Sequence, residues 1–147
     1  MRDLSQRAAL LLAVKPRWAS VLLTGAKTIE FRRRGPGPAA VGKHVLIYAS
    51  SPVSALVGYG TTLDYVRAEP SELWKRYADH GGIEEHNFAA YFAGAAVGDA
   101  LLLECSAFPC KVKLDFLRAQ YHWRPPMSWS WLVATSPLLD LIPAIQR

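Results

Sequence analysis

The sequence predicts an α+β protein in which about six strands form a small mixed or barrel-like sheet with two or three inserted helices. Apolar runs typical of strands recur along the chain, beginning at 8–14. The helical patterns lie mostly in one long crossover, at about 69–94. Strands and helices do not alternate regularly, and no G-x-G-x-x-G opens a helix. These observations exclude a Rossmann fold.

The first elements are a strand, a short helix and a second strand. The uninterrupted apolar run 8–14 predicts a buried strand. Pro16 can begin a helix that ends at Gly25, because proline suits a first turn and glycine a C-terminal cap. Residues 27–32 alternate, which predicts a strand. Its two predicted faces carry Thr28, Glu30 and Arg32 on one side and Lys27, Ile29 and Phe31 on the other.

The remaining predicted elements follow from glycine and proline breaks. In chain order they are a strand over 44–51, a glycine-containing strand over 53–66, helices over 69–82 and 83–94, a strand over 97–108, a strand or short helix over 110–120, and a short closing strand within 121–135. No linker or repeat interrupts them. We therefore expect one domain over 1–147, with the motif-bearing core at about 10–132 and a C-terminal strap at 133–147.

The composition indicates a globular, basic protein. The 51% of hydrophobic residues and 20% of charged residues exclude a disordered chain. The net charge of +5 and the pI of about 9.4 favour phosphates, nucleic acids or anionic membranes as partners. Five tryptophans and six tyrosines could form core or stack on bases. A basic protein without such a partner is the alternative.

Neither cofactor, metal nor membrane is predicted. Cys105 and Cys110 do not have zinc-pair spacing, so we expect buried free thiols, with a disulfide as the alternative. The four histidines form no metal-binding pattern. No apolar stretch is long enough to span a bilayer. Lys15, Pro16 and Arg17 follow the run 8–14 where a signal peptide would have a cleavage site, so a cytoplasmic protein is expected.

Five stretches together resemble the ASCH domain family of the PUA-like superfamily. They are KPRWASVLLTGAKTIEFRRR, VLIYASSPVSALVGYG, LWKRYADHGGIEEHNFAAYFAG, ALLLECSAF and RPPMSWSWL, in that order. The third resembles the family's helical insert, and the last its closing segment, with Met127 where the family commonly has glutamine. The resemblance covers about 10–132. It implies a pseudo-barrel of mostly antiparallel strands with a cleft between the barrel and its helices.

The resemblance also implies a function. PUA-like proteins bind RNA or hold a modified or flipped base, so the expected partner is RNA, another single-stranded nucleic acid or a nucleoside. We expect a binding module in RNA metabolism or transcription. The alternative is an enzyme, since some ASCH proteins hydrolyse N4-acetylated cytidine and ribonuclease activity has been proposed for others. A regulatory module whose partner protein contacts DNA is a third interpretation. The oligomeric state stays open.

Lys27 and Glu30 are the residues that the resemblance directs into the cleft. A lysine there can hold a phosphate or base carbonyl, and desolvation would lower its pKa toward that of a general base. A carboxylate can accept from the exocyclic amine of cytosine or move a proton. Each also has a structural alternative. Lys27 could face water at a strand end, and Glu30 could simply pair with neighbouring cations.

The other candidates lie on the same and neighbouring elements. Arg32 shares the predicted face of Glu30 and is expected in the cleft. Arg33 and Arg34 are candidates for phosphate-backbone contacts, because arginine forks suit phosphate oxygens. A solvated charge run is the alternative. Further candidate ligand contacts are Lys15, Trp18, Ser50, Ser51 and Ser128. Trp18 could equally be core, and the serines could cap turns.

The amidohydrolase interpretation meets two departures from the family pattern. In that branch a threonine three positions after the lysine is the nucleophile, and here that position is Glu30. The branch also uses a glutamate in the helical insert, a place that falls near Gly81, with Glu84 and Glu85 only nearby. If the protein is an enzyme, Lys27 and Glu30 are the candidate catalytic pair and would activate water together.

Overall fold

The computed structural model describes residues 4–143, and within them six strands form one curled sheet beside four α-helices. The strands are β1 (Ala9–Val14), β2 (Ile29–Arg32), β3 (His44–Ala49), β4 (Ala55–Ala68), β5 (Gly98–Lys113) and β6 (Trp129–Leu132). The helices are α1 (Pro16–Thr24), α2 (Pro70–Tyr77), α3 (Glu85–Tyr91) and α4 (Leu114–Tyr121).

The strand order is β2-β5-β4-β3-β1-β6, and only β1 and β3 pair in parallel. The predicted α+β class and the mostly antiparallel pseudo-barrel are therefore confirmed. Helices α2 and α3 lie in the crossover between β4 and β5, as predicted. The stretch 110–120 divides between the two predicted alternatives. Its first residues complete β5, and α4 follows with Leu117 buried in its first turns.

Strands β1 and β3 are buried on both faces, which explains the uninterrupted apolar run. Leu10 and Leu12 of β1 pack in one cluster with Leu22 of α1. Leu11 of the same strand packs on the opposite face with Leu117 of α4. A strand covered on both sides has no water-facing positions, so its sequence does not alternate. The parallel β1–β3 pair is thus the centre of the core.

The long hairpin of β4 and β5 is irregular at two points. The register shifts between Leu56 and Gly58 and again between Thr62 and Asp64. A Cβ atom added at Gly58 would overlap the Ser106 carbonyl of β5, so glycine permits the close approach of the strands. The first of these shifts is therefore a bulge beside a glycine of the predicted glycine-containing strand.

Arg32 joins the two ends of the sheet. It lies on edge strand β2, and its Nη1 donates to Ser128 Oγ at 2.9 Å, just before the opposite edge strand β6. Its Nη2 donates to the Ala13 carbonyl oxygen of β1 at 2.8 Å. Trp129 Nε1 donates to the Arg34 carbonyl oxygen at 3.1 Å. These long-range hydrogen bonds close the curled sheet into a pseudo-barrel.

The predicted strap, 133–147, is described only to residue 143. Leu138, Leu139 and Ile142 are buried. The first two lie in a short 3-10 helix, Pro137–Leu141, and Ile142 follows it directly. All three pack on the β1 face that α4 also covers. Residues 144–147 and residues 1–3 lie outside the described part. At the other end of the chain, Leu4–Arg7 form a short 3-10 helix.

The cysteine prediction is correct for only one of the two thiols. Both cysteines are free, and Cys105 is half-buried, but Cys110 is exposed. The pKa of the Cys105 thiol is raised to about 12, because burial disfavours the thiolate and two glutamates lie nearby. Strand β5 runs from the core into water, so its C-terminal half exposes Cys110. No helix within residues 4–143 is long and apolar enough to cross a membrane.

Candidate functional site

A cleft with a cavity of about 960 Å³ opens between the carboxyl ends of β1 and β3, helix α1 and helix α3. It is called the cleft below, and its walls are charged, aromatic and hydroxyl-bearing. They consist of Ala13, Val14, Lys15, Arg17, Trp18, Lys27, Glu30, Phe31, Arg32, Tyr48, Ser50, Ser51, Ser54, Ile83, Asn87, Ala90, Tyr91, Leu114, Pro125, Pro126 and Met127.

Most of the site residues predicted from the sequence meet in this cleft. Seven line it, namely Lys15, Trp18, Lys27, Glu30, Arg32, Ser50 and Ser51. Ser128 is not in the cleft wall but accepts a hydrogen bond from Arg32 there. Arg33 and Arg34 both line a separate pocket. β2 ends at Arg32, so the strand alternation does not continue to Arg33 and Arg34.

Lys27 lies at the floor of the cleft rather than at a solvated strand end. The prediction placed it on the face opposite Glu30, which is wrong because β2 begins only at Ile29. Its backbone N–H donates to the Val21 carbonyl of α1 at 3.0 Å. The ammonium group lies 3.4 Å from Glu30 Oε1 and donates to the Gly81 carbonyl oxygen. Only 4% of Lys27 is exposed.

Burial lowers the pKa of Lys27. The desolvation of its ammonium group is the largest cause, and the nearby positive charge of Arg32 acts in the same direction. Glu30 opposes both, since its carboxylate attracts and hydrogen-bonds the ammonium. The net effect is a lowered pKa for Lys27. A lower pKa brings a lysine closer to the range of a general base.

Glu30 and Arg32 form a fork-to-carboxylate pair. Arg32 Nε and Nη2 lie 2.9 Å and 2.8 Å from Glu30 Oε2, and Glu30 is 6% exposed. Every guanidinium nitrogen of Arg32 thus has a partner once Ala13 and Ser128 are included. Arg32 first braces the barrel and orients Glu30. A ligand in the cleft would meet an already ordered network, which lowers the entropy cost of binding.

Trp18 is shared between the core and the cleft. It packs partly against the core beneath α1, and it also lines the cleft. The Arg17 guanidinium stacks at 4.5 Å from its ring centroid, and the Lys27 ammonium lies at 5.4 Å. Both distances are typical of cation–π contacts. Lys15, at the N-terminus of α1, is exposed at the rim.

Several cleft residues were missed from the sequence. Arg17 lies beside the predicted residue Trp18, and Tyr48 lies in the predicted strand over 44–51. Asn87 and Tyr91 lie four residues apart on α3 and so share one helix face. That spacing could have identified them, because the same face also carries Ala90. Their proximity to α1, however, depends on the tertiary fold.

The glutamate sought in the helical insert has no counterpart in the cleft. Glu84 and Glu85 are exposed and do not line it, and Glu84 lies 3.4 Å from His86. The backbone of Gly81 occupies the place instead, through its carbonyl bond to Lys27. Glycine is needed there, because a Cβ atom would overlap the Phe31 ring. Within residues 4–143, no cluster of three or more His, Cys, Asp or Glu side chains could hold a metal ion.

Comparisons with known proteins give one group of relatives over nearly the whole chain. A protein of Zymomonas mobilis described as an ASCH domain-containing ribonuclease is 32% identical over 133 residues, covering 90% of this chain and 89% of the relative. The crystal structure of ASCH from Zymomonas mobilis superposes with a TM-score of 0.82 at 31% identity, covering 92% of this chain and 96% of that one. It has also been crystallised with a serine changed to alanine and with a tyrosine changed to phenylalanine.

A more distant likeness concerns the fold alone. The N-terminal domain of McrB from Staphylothermus marinus superposes with a TM-score of 0.54 at 13% identity, over 96% of each chain. No family model matches the sequence.

Proposed function

Because the chain belongs to the ASCH domain family, we propose that it binds single-stranded RNA in the cleft. The observation that carries this proposal is the make-up of the cleft. Its cavity of about 960 Å³ is large enough for a nucleotide, and one wall combines exposed cations, an aromatic ring and hydroxyl groups. The description of the Zymomonas relative as a ribonuclease supports RNA as the ligand.

The walls suggest how one nucleotide would be held. A base can stack on Trp18 or Tyr91, and the Ser50 and Ser51 hydroxyls can hydrogen-bond its edge. Lys15 and Arg17 at the rim provide charge for a phosphate. Glu30 keeps lone pairs beyond those used by its two cations, so it can also accept from an exocyclic amine. A base must leave a duplex to reach this depth, which favours single strands.

The binding test replaces the two rim cations, because both are exposed and their removal spares the core. A fluorescein-labelled ten-nucleotide RNA of mixed sequence is titrated with the Lys15→Gln/Arg17→Gln variant at about 0.1 M salt. We expect Kd to rise by about tenfold or more. The matched control is Lys75→Gln/Arg76→Gln on the exposed face of α2, which removes the same charge outside the cleft. Equal affinities of the two variants, or no RNA binding by the parent protein, would refute the proposal.

RNA cleavage is the second candidate function, because a buried lysine with a lowered pKa lines the cleft of a chain whose relative is described as a ribonuclease. In the proposed step the Lys27 amine takes the proton of a ribose 2′-hydroxyl. The 2′-oxygen bonds to the adjacent phosphorus as the bond to the 5′-oxygen breaks, and the Lys15 ammonium protonates that leaving oxygen. The products are a 2′,3′-cyclic phosphate and a 5′-hydroxyl.

The cleavage test follows labelled RNA on denaturing gels. We expect Lys27→Met to abolish cleavage, whereas Lys75→Met leaves it unchanged. Ser128→Ala and Tyr48→Phe are informative second variants, since Tyr48 lines the cleft and Ser128 holds Arg32. Cleavage by Lys27→Met at the parental rate would exclude Lys27 as the base. A parent protein that binds RNA without cleaving it would leave binding as its function.

The N4-acylcytidine hydrolase is the less supported alternative. Its nucleophile position is Glu30, whose carboxylate is engaged by Lys27 and Arg32. The pair could still activate water, with Glu30→Gln as the informative variant. Hydrolysis of N4-acetylcytidine is followed by ultraviolet absorbance. If the parent protein hydrolyses it and the variant does not, the substrate would be a nucleoside rather than RNA. Absence of turnover over a panel of acylated cytidines would exclude it.

A further inference from the structure

A second pocket, called the arginine pocket below, lies next to the cleft and has a cavity of about 600 Å³. It is lined by Arg33, Arg34, Arg67, Ala95, Ala96 and Val97. The chain passes from Arg32 in the cleft wall to Arg33 in the pocket within one residue. Tyr91 lines the cleft, and its carbonyl oxygen accepts a hydrogen bond from Arg33 at 2.9 Å. Tyr91 therefore separates the two cavities.

Arg67 is held in position by a buried acid. Its Nε and Nη2 lie 2.7 Å and 2.9 Å from the two oxygens of Asp99, which is 1% exposed. Asp99 also accepts from the Gly35 N–H at 2.8 Å and from the Tyr65 hydroxyl. Although burial opposes its charge, these donors hold the pKa of Asp99 below its usual range. The Arg67 side chain is 52% exposed, so its guanidinium group is held by Asp99 and still accessible to solvent.

Arg33 and Arg34 differ in their engagement. Arg33 Nη1 donates to the carbonyl oxygens of Tyr91 and Ala93, which caps the C-terminus of α3 and fixes its guanidinium. Arg34 is exposed, and within residues 4–143 its guanidinium has no hydrogen bond or ion pair. Its backbone carbonyl accepts a hydrogen bond from Trp129 Nε1. Arg34 is thus an exposed cation beside two hydrogen-bonded ones.

The charge of the arginine pocket favours an anion. Three arginines line it, only Arg67 of the three is paired with an acid (Asp99), and no acid is among the described residues of the lining. The alanine side chains of the lining are small, which leaves room for a group of phosphate size. Arginine forks match the oxygens of a phosphodiester. A pocket of this kind next to a base-sized cleft has the arrangement needed to hold the neighbouring link of one strand.

We propose that the arginine pocket binds the backbone phosphate of the nucleotide next to the one held in the cleft. The RNA strand would leave the cleft over Tyr91 and continue along Arg33 to Arg34 and Arg67. This inference rests on the proposed function, since it assumes that the cleft holds RNA. It adds the path by which the strand leaves the cleft, and it extends the binding site to at least two nucleotides.

The experiment uses Arg34, because its side chain is exposed and makes no hydrogen bond or ion pair with the described residues. Affinity for the labelled ten-nucleotide RNA is measured between about 0.05 and 0.3 M salt for Arg34→Glu, Arg34→Gln and the control Arg118→Glu, an exposed arginine of α4 outside both cavities. We expect Kd to rise about tenfold for Arg34→Glu and about threefold for Arg34→Gln at low salt. The slope of log K against log salt should fall by about 0.7, the value of one single-strand phosphate contact.

The outcomes separate the two proposals. Weaker binding and a shallower slope for Arg34→Glu, relative to Arg118→Glu, support the arginine pocket. If both variants behave alike while Lys15→Gln/Arg17→Gln still weakens binding, the cleft stands and the arginine pocket is refuted. If the parent protein does not bind RNA, both proposals fail. Circular dichroism checks that each variant is folded.

Discussion

Replacing Glu30 by glutamine tests whether the buried charge network holds the fold together. The substitution keeps the shape of the side chain but removes its charge. It leaves the Lys27 ammonium and the Arg32 guanidinium near each other without the carboxylate between them. All three side chains are largely buried, with 4%, 11% and 8% of the lysine, arginine and glutamate side chains exposed. Solvent can therefore do little to screen the two remaining cations.

The magnitude follows from the two distances. At an effective dielectric constant of about 20, charges 3.4 Å and 2.8 Å apart attract by about 5 and 6 kcal/mol. Desolvation offsets much of this, and removal of one partner from a buried pair costs about 3–5 kcal/mol. The amide oxygen of glutamine can still accept a hydrogen bond. We therefore expect the free energy of unfolding to fall by about 2–4 kcal/mol, and Tm by about 5–15 °C.

The pH dependence of this loss has a definite sign. Glu30 raises the pKa of Lys27, so its removal lowers that pKa further. A lysine whose pKa is lower folded than unfolded gains stability as pH rises between the two values. In Glu30→Gln this gain in stability therefore begins at a lower pH than in the parent protein. The difference between the free energies of unfolding of the two proteins should narrow from pH 7 to pH 10.

The assay is urea unfolding followed by circular dichroism across this pH range. Glu104→Gln, an exposed change on β5, is the matched control and should shift stability by less than about 0.5 kcal/mol. If Glu30→Gln behaves like Glu104→Gln at pH 7, the network contributes nothing to stability. A difference that widens with pH would refute the assigned coupling between Glu30 and Lys27.

Three further predictions concern other parts of the molecule. Gly81→Ala should lower the free energy of unfolding by about 1–3 kcal/mol in urea titrations, because its methyl group would overlap the Phe31 ring. Asp99→Asn should lower the free energy of unfolding above the ordinary aspartate pKa of about 4, where the charged Asp99 stabilises the parent protein. The parent protein loses this stabilisation as pH falls below that value. In acid titrations the free energies of unfolding of the two proteins should therefore converge at low pH. A thiol reagent at pH 8 should modify exposed Cys110 quickly and Cys105 slowly, and Cys110→Ser should lack the fast phase.

The elements that were predicted correctly carry local signals. Strand β1 is an apolar run, and α1 begins at Pro16 and ends at Gly25, whose φ of 82° lies in the left-handed region. The crossover helices follow from proline and glycine punctuation. Each signal acts within a few residues of the structure that it specifies. Sequence patterns therefore located these elements and, through them, the floor of the cleft.

The missed features depend on contacts between distant parts of the chain. Arg32 could be placed near Glu30, but its bond to Ser128 spans 96 residues. The direction of Lys27 is fixed by α1 and by Gly81, not by strand alternation. None of these has a periodic or motif signal.

The hydrogen bond from Lys27 to the Gly81 carbonyl has a consequence for comparing such proteins. The helical insert serves the floor of the cleft through its main chain rather than through a side chain. A carbonyl group is present at every position, so comparing residue types cannot reveal this acceptor. What the contact demands is a backbone path close to the Phe31 ring, which only glycine leaves room for. A related protein whose insert lacks a glutamate can therefore still hold its lysine through a backbone carbonyl.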